Sequence, residues 1–301
     1  MGHEGLALAA YLAARILDCR PIGAADVARL KAADASLSEA RRHLPHGRGN
    51  VGEDLARTEG ESRWRADAAR SFVPKLDRMR GTSEIDYRGR AINQAASALA
   101  FGAGRCGEFS AVSGVLHTGR LGPGEELHIV ANRSHQWAEA RIGATDRKRA
   151  VVLDAWAQGA PVFADDSRFA NRNAESLRSY VPIAVNNPDV EGRQARKEAG
   201  EATSLVKQQL GEAGLRRQVA AAARITARAV AWFDDLAGLT ERSAPHVLST
   251  EFVRRVKASM CSDPLSAEVA AARAAQQLGR PIEAQRADVQ AILEVLSSLP
   301  A

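Results

Sequence analysis

Strand-like patterning is confined to one central stretch of this chain, and that placement limits the fold more than any other feature. Residues 127–131 alternate apolar and polar side chains, and 135–142 and 150–156 continue as short strand-like runs. Turns fall at Gly122-Pro123-Gly124 and over 143–146. Helical spacing occupies the rest. It covers 5–19, 24–44, 64–80, 90–101 and 107–116 ahead of the strands, and 191–240, 245–260, 265–279 and 283–298 after them. A helix followed by a small antiparallel sheet is an α+β core. The pattern predicts three regions: a helical N-terminal region over 1–85, a core over 86–188 and a helical C-terminal region over 189–301. Residues 45–63, with Gly47, Gly49, Gly52 and Gly60, read as a loop or mobile linker. Pro74 is expected to break or bend its helix, and Gly200 and Gly214 to interrupt the long C-terminal pattern.

Composition narrows the function classes. The net charge is +5, but acidic residues are interspersed with the basic ones and no basic stretch carries interleaved aromatics, so nucleic acid is not an expected partner. The apolar run 5–17 is bracketed by Glu4, Arg15 and Asp18, is too short to span a bilayer and lacks the basic start of a secretory signal. Leu6 stands where a myristoylation signal wants Ser or Thr. The three cysteines, Cys19, Cys106 and Cys261, are far apart and odd in number, which fits a reducing compartment rather than a disulfide framework. His43 and His46 have no third ligand within reach by sequence, so no metal site is expected, and no motif calls for a cofactor.

The chemistry concentrates in the core. Gly104-Arg105-Cys106-Gly107-Glu108 places a cysteine where a loop turns into a helix. Free N–H groups at a helix start favour the thiolate, lowering its pKa, and can hold a developing oxyanion. The glycines on either side, with Arg105, are expected to let a substrate carbonyl approach the sulfur. His135, in Ser134-His135-Gln136-Trp137, opens one predicted strand, and Asp154, in Val152-Leu153-Asp154-Ala155-Trp156, closes the next. Neighbouring antiparallel strands can bring the two side by side, giving a thiol its base and the imidazole a carboxylate to fix its tautomer. Cys106, His135 and Asp154 are therefore the expected catalytic residues. Trp137 and Trp156 are expected to wall the site, Asn93 or Gln94 to supply an oxyanion donor, and Glu108 to cap the Cys106 helix. His117 and His128 read as ordinary surface or core histidines. Cys19 and Cys261, without basic or histidine neighbours, are expected in the core.

The order Cys, His, Asp, with G-x-C-G-E, H-x-W and D-x-W, resembles the transglutaminase-like branch of the papain-like cysteine hydrolases over about residues 90–170. Papain-type proteases end the set with Asn, so Asp154 favours the transglutaminase-like branch. Within it, the stretch Asp154-Ala155-Trp156-Ala157-Gln158-Gly159-Ala160-Pro161-Val162-Phe163, continuing through Asp166-Ser167-Arg168-Phe169-Ala170, is similar to the AvrPphE/HopX/XopE family of bacterial type III effectors. That family usually has Asp-Pro-Trp, and Ala155 departs from it. The resemblance implies a papain-like core and a secreted virulence protein, delivered into the reducing cytoplasm of a plant cell. It also implies a host protein substrate whose amide is hydrolysed, deamidated or transamidated. Two alternatives share the motifs. Arylamine N-acetyltransferases carry a comparable Cys, His, Asp series, but the all-helical C-terminal third fits their architecture poorly. A binding protein that keeps the residues without the activity is the other. No motif specifies an oligomeric state.

Overall fold

The computed structural model describes residues 3–143, 147–170, 179–185, 187–232, 243–280 and 285–300. Its centre is a five-stranded antiparallel sheet in the order β6-β5-β4-β3-β7. The strands are β3 (Glu125–Ala131), β4 (Gln136–Ile142), β5 (Val151–Leu153), β6 (Val162–Phe163) and β7 (Ser179–Ala184). Helices surround it: α1 (His3–Leu17), α2 (Ala24–His43), α3 (Gly52–Arg57), α4 (Glu61–Arg80), α5 (Tyr87–Phe101) and α6 (Cys106–His117) come before, and α7 (Pro188–Trp232), α8 (Thr250–Ser262), α9 (Pro264–Gln277) and α10 (Gln285–Ser297) after. The chain is thus α+β with helical flanks, as its texture predicts. Of the turn expected over 143–146, residues 144–146 lie outside the described residues, as do 233–240 of the expected C-terminal helical pattern.

Small side chains let α6 lie close on the sheet. A Cβ added at Gly114 would stand 3.5 Å from the Ala138 methyl and 3.6 Å from Leu127 and Ile129. Those residues share a face because Ile129 pairs with Ala138, and Ala138 with Leu153. On the other face of β4, Glu139 is buried, and its carboxylate accepts bonds from the Trp137 indole at 2.7 Å and from Arg141 Nε at 2.9 Å. A charge inside a sheet is tolerated when it is paired in this way.

Two apolar clusters hold the chain: Phe72 and Leu76 of α4, Phe101 of α5 and Val206 of α7 belong to the smaller one. The larger runs from Leu8 in α1 through the sheet to Leu299 after α10. The run Leu8–Ala14 is buried on all sides, because α1 packs against α2, α8, α9 and α10. Its all-round apolarity therefore belongs to a core helix. Among the described residues no helix is long and apolar enough to cross a membrane.

Several expectations need correction. Residues 45–63 hold β1 (Gly47–Arg48), α3 and the start of α4, and β1 pairs in parallel with β2 (Ala103–Gly104) just ahead of Cys106. Their glycines serve close packing as well as turning: a Cβ at Gly49 would fall 2.5 Å from the Ala66 methyl. Pro74 does not end α4. It sits on the exposed side, where the carbonyl it leaves without a donor can face water. The break in α7 lies at Gly211, with φ +55° and ψ 178°, and neither Gly200 nor Gly214 interrupts it. Cys19 and Cys261 are exposed, Cys19 in the turn after α1 with φ +55° and Cys261 in the last turn of α8.

Candidate active site

The backbone reaches Cys106 through a tight sequence of stops. α5 ends on Gly102 in the left-handed region, β2 pairs with β1, Arg105 is extended, and α6 begins at Cys106. Glu108 folds back so that its Oε2 accepts the Arg105 N–H at 2.8 Å, the cap its position suggests. Its Oε1 accepts the Gln94 Nε2 donor at 2.8 Å. The N–H groups of Cys106 and Gly107 belong to the first turn and have no carbonyl four residues back to bond. Cys106 itself is half-buried.

A hydrogen-bonded turn places the histidine. Asn132 Oδ1 accepts the N–H groups of Ser134 at 2.9 Å and His135 at 2.8 Å, and Asn132 N–H returns to the His135 carbonyl at 3.0 Å. This closes the β3–β4 hairpin with His135 at the entry to β4. Asp154 leaves β5 on the adjacent strand. Since Ala138 pairs with Leu153, the residues just before β4 and just after β5 lie side by side. His135 Nε2 and Asp154 Oδ2 are 2.5 Å apart, with both side chains almost wholly buried. The other carboxylate oxygen, Oδ1, accepts the N–H groups of Trp156 at 3.2 Å and Ala157 at 3.0 Å. With Nε2 taken by Asp154, Nδ1 is the ring nitrogen left free of that carboxylate, and Cys106 lies close enough to raise the pKa of the same imidazole.

Burial alone would push the His135 pKa down. The Asp154 charge and hydrogen bond outweigh it and, with Cys106, carry the imidazole up to about 10. The ring is therefore held as an imidazolium beside Asp154 and Cys106. Aromatic rings enclose it: Phe169 with centroids 4.0 Å apart, Trp156 at 5.0 Å, and Trp137 stacked at 6.0 Å with 19° between planes.

Cys106, His135 and Asp154 are thus brought together, and the other expected residues divide. Gly107 faces the site's amides: a Cβ there would fall 2.7 Å from Gln94 Nε2 and 3.4 Å from Gln136 Oε1. The Gln94 amide therefore lies beside the start of the Cys106 helix, where it donates to Glu108. Asn93 does not. Its amide donates to Asp77 Oδ1 at 2.7 Å and Thr82 Oγ1 at 3.1 Å and accepts from Arg80, so it ties α5 to α4. Gly104 makes room for Glu108, whose Cβ lies 2.4 Å from where its own would be, rather than for a substrate. Arg105 pairs with Asp67 of α4 at 2.5 Å. Trp137 is fully buried and backs the imidazole, while the Trp156 indole donates to Asn50 Oδ1 at 3.0 Å. His117 and His128 are both buried.

Sequence reasoning missed Phe169, Gln136 and the segment 41–50. Phe169 sits in the stretch that carries the family resemblance, and Gln136 adjoins the histidine, so both were within sight. A hollow of about 420 Å³ lies beside the site, with Arg41, Arg48, Phe109 and Ala155 among its walls; Cys106 and His135 do not line it. Among the described residues no cluster of three His, Cys, Asp or Glu side chains is set to hold a metal ion. No protein-family model, curated protein or solved structure matches the chain.

Proposed function

We propose that the chain is a cysteine-dependent acyl-transfer enzyme acting on a protein amide, with Cys106 as nucleophile, His135 as its acid–base partner and Asp154 as the group that orients His135. The observation that carries this reading is the buried His135–Asp154 pair at 2.5 Å, with Cys106 close enough to raise the pKa of the same imidazole. The Cys106 thiolate attacks the amide carbonyl carbon and a C–S bond forms. The oxyanion is held by the first-turn N–H groups, with Gln94 Nε2 beside them. The C–N bond breaks as the His135 imidazolium gives its proton to the leaving nitrogen. Water then loses a proton to His135 and attacks the thioester carbon; the C–S bond breaks, the acid leaves and the thiolate–imidazolium pair is restored, while an amine in place of water gives transamidation.

Support for a papain-like, transglutaminase-like core comes from the arrangement itself: a helix bearing cysteine at its start, packed on an antiparallel sheet whose adjacent strands carry His and Asp. With the motif resemblance, this favours a type III effector that modifies a plant protein inside the host cell. The test is mass spectrometry of plant-cell extract after incubation with the protein or with Cys106→Ala. Cleavage, a one-dalton gain at glutamine, or cross-linking confined to the unsubstituted protein is the expected result. Identical spectra, together with a Cys106 no more reactive than Cys19, would overturn the reading in favour of a binding protein.

A further inference from the structure

The loop that carries Asp154 is held from outside the sheet. Its carbonyls are claimed by two arginines: Arg41 donates to those of Ala155 at 3.3 Å, Ala157 at 3.2 Å and Gly159 at 3.4 Å, and Arg48 to that of Trp156 at 3.0 Å. Asn50 takes the Trp156 indole. The same segment grips the backbone ahead of the nucleophile, because His46 N–H donates to the Gly102 carbonyl at 3.0 Å and Gly49 N–H to that of Gly104 at 2.8 Å. Arg48 is itself fixed, with Nε 2.6 Å and backbone N–H 2.8 Å from Asp54 Oδ2. Gly47, at φ +84°, lets that carboxylate approach, since a Cβ there would lie 2.7 Å from it.

We infer that residues 46–50 form a positioning strap, with Arg48 as its key residue, that sets the distance between Cys106 and the Asp154–His135 pair by bonding to the backbone on both sides. The inference rests on the reading of those three residues as the reacting set. Arg48 touches neither sulfur nor imidazole. It acts through the Trp156 carbonyl, and so on the two N–H groups that aim Asp154 Oδ1. A planar guanidinium suits this, because one fork reaches Asp54 and a carbonyl at once, which a lysine ammonium cannot reproduce.

The experiment uses the full chain and two readouts that a purely packing role would leave alone. One is the iodoacetamide alkylation rate of Cys106 at about pH 6; the other is the downfield proton resonance of the His135–Asp154 hydrogen bond. Arg48→Met keeps the aliphatic stem. It is expected to slow alkylation by about ten- to a hundred-fold, as small misplacements in reacting geometry do, and to shift or broaden the resonance. Arg48→Lys is expected to recover only part. In an Asp154→Asn background, Arg48→Met should add almost nothing, since both act on one element. Should Arg48→Met fail to fold, Asn50→Ala, which frees the Trp156 indole alone, carries the same expectation with a smaller loss. Unchanged rate and resonance, or a loss that adds fully to that of Asp154→Asn, overturns the strap. A wild-type Cys106 with no enhanced reactivity would instead overturn the reading of the site.

Discussion

Removing the charge of Asp154 offers the sharpest test of the site's electrostatics. His135 is carried from an ordinary 6.5 to about 10, chiefly by Asp154 working against burial. At ~1.4 kcal/mol per tenfold step, that is on the order of 5 kcal/mol of preference for the imidazolium in the folded chain. The group's folded pKa lies above its unfolded one. Its contribution is therefore complete below about pH 6.5, shrinks as the unfolded chain releases the proton first, and is gone once pH passes about 10. Asp154→Asn keeps the shape and a hydrogen bond but removes the carboxylate, so this pH dependence should largely disappear. Both proteins are best compared in a Cys106→Ala background, where the thiol no longer titrates against the same ring. Urea unfolding at about pH 6, 8 and 10 should show the protein that keeps Asp154 losing a few kcal/mol more across that window than the one carrying Asp154→Asn. Parallel stability curves would refute the reasoning, because they would mean that Asp154 does not hold a proton on His135.

Cys106→Ala is expected to lower turnover by several powers of ten while leaving the unfolding midpoint close to that of the unsubstituted chain, as loss of a nucleophile does elsewhere; activity near wild type would remove Cys106 from the mechanism. Although Cys19 and Cys261 are exposed, iodoacetamide at about pH 6 should label Cys106 first, because Cys106 has the His135 imidazole beside it to take up its proton. Labelling in order of exposure would contradict an imidazolium beside the sulfur. Gly104→Ala forces a methyl into the Glu108 Cβ and should cost about 1–3 kcal/mol by overpacking, read as a lower urea midpoint. If the host protein of the proposed function docks on the exposed arginines of α7, reversing Arg216 and Arg217 to Glu weakens that association at low salt without altering Cys106 labelling, since surface charges govern association rate; unchanged binding would exclude that face of α7.

How much of this was legible in the sequence depends on the range of the forces involved. The α+β class was readable because period-two alternation and period-3.6 spacing are local signals, and each expected helix beside the sheet lies within a few residues of its place. Cys106, His135 and Asp154 were readable for a related reason. A helix start and the ends of adjacent strands are positions that local pattern assigns, and the meeting of His135 with Asp154 follows from antiparallel register. Asn93 and Gln94 show where that kind of reasoning stops. They are neighbours in sequence with the same amide chemistry, yet about 100° of helical turn sends one to the Asp77 carboxylate and the other to Glu108 at the start of the Cys106 helix. Exposure of the spare cysteines also depended on more than their neighbours in sequence: which side of a helix end faces solvent is decided by packing.

The segment 45–50 was misread for a deeper reason. A two-residue strand has no period, and four glycines over 45–63 carry the usual signature of a loop. What orders the segment is largely long-range: the backbone of 102–104 on one side, the Trp156 carbonyl and indole on the other, and a guanidinium fixed by Asp54 between them. Glycine is informative here in a way that composition cannot express. At Gly47 and Gly49 the missing Cβ is replaced by the Asp54 carboxylate and the Ala66 methyl, so these residues mark close approach rather than freedom. A glycine-rich stretch next to a candidate site therefore has two opposite readings, a hinge or a clamp, and the backbone partners that decide between them lie far along the chain. Here they decide for the clamp.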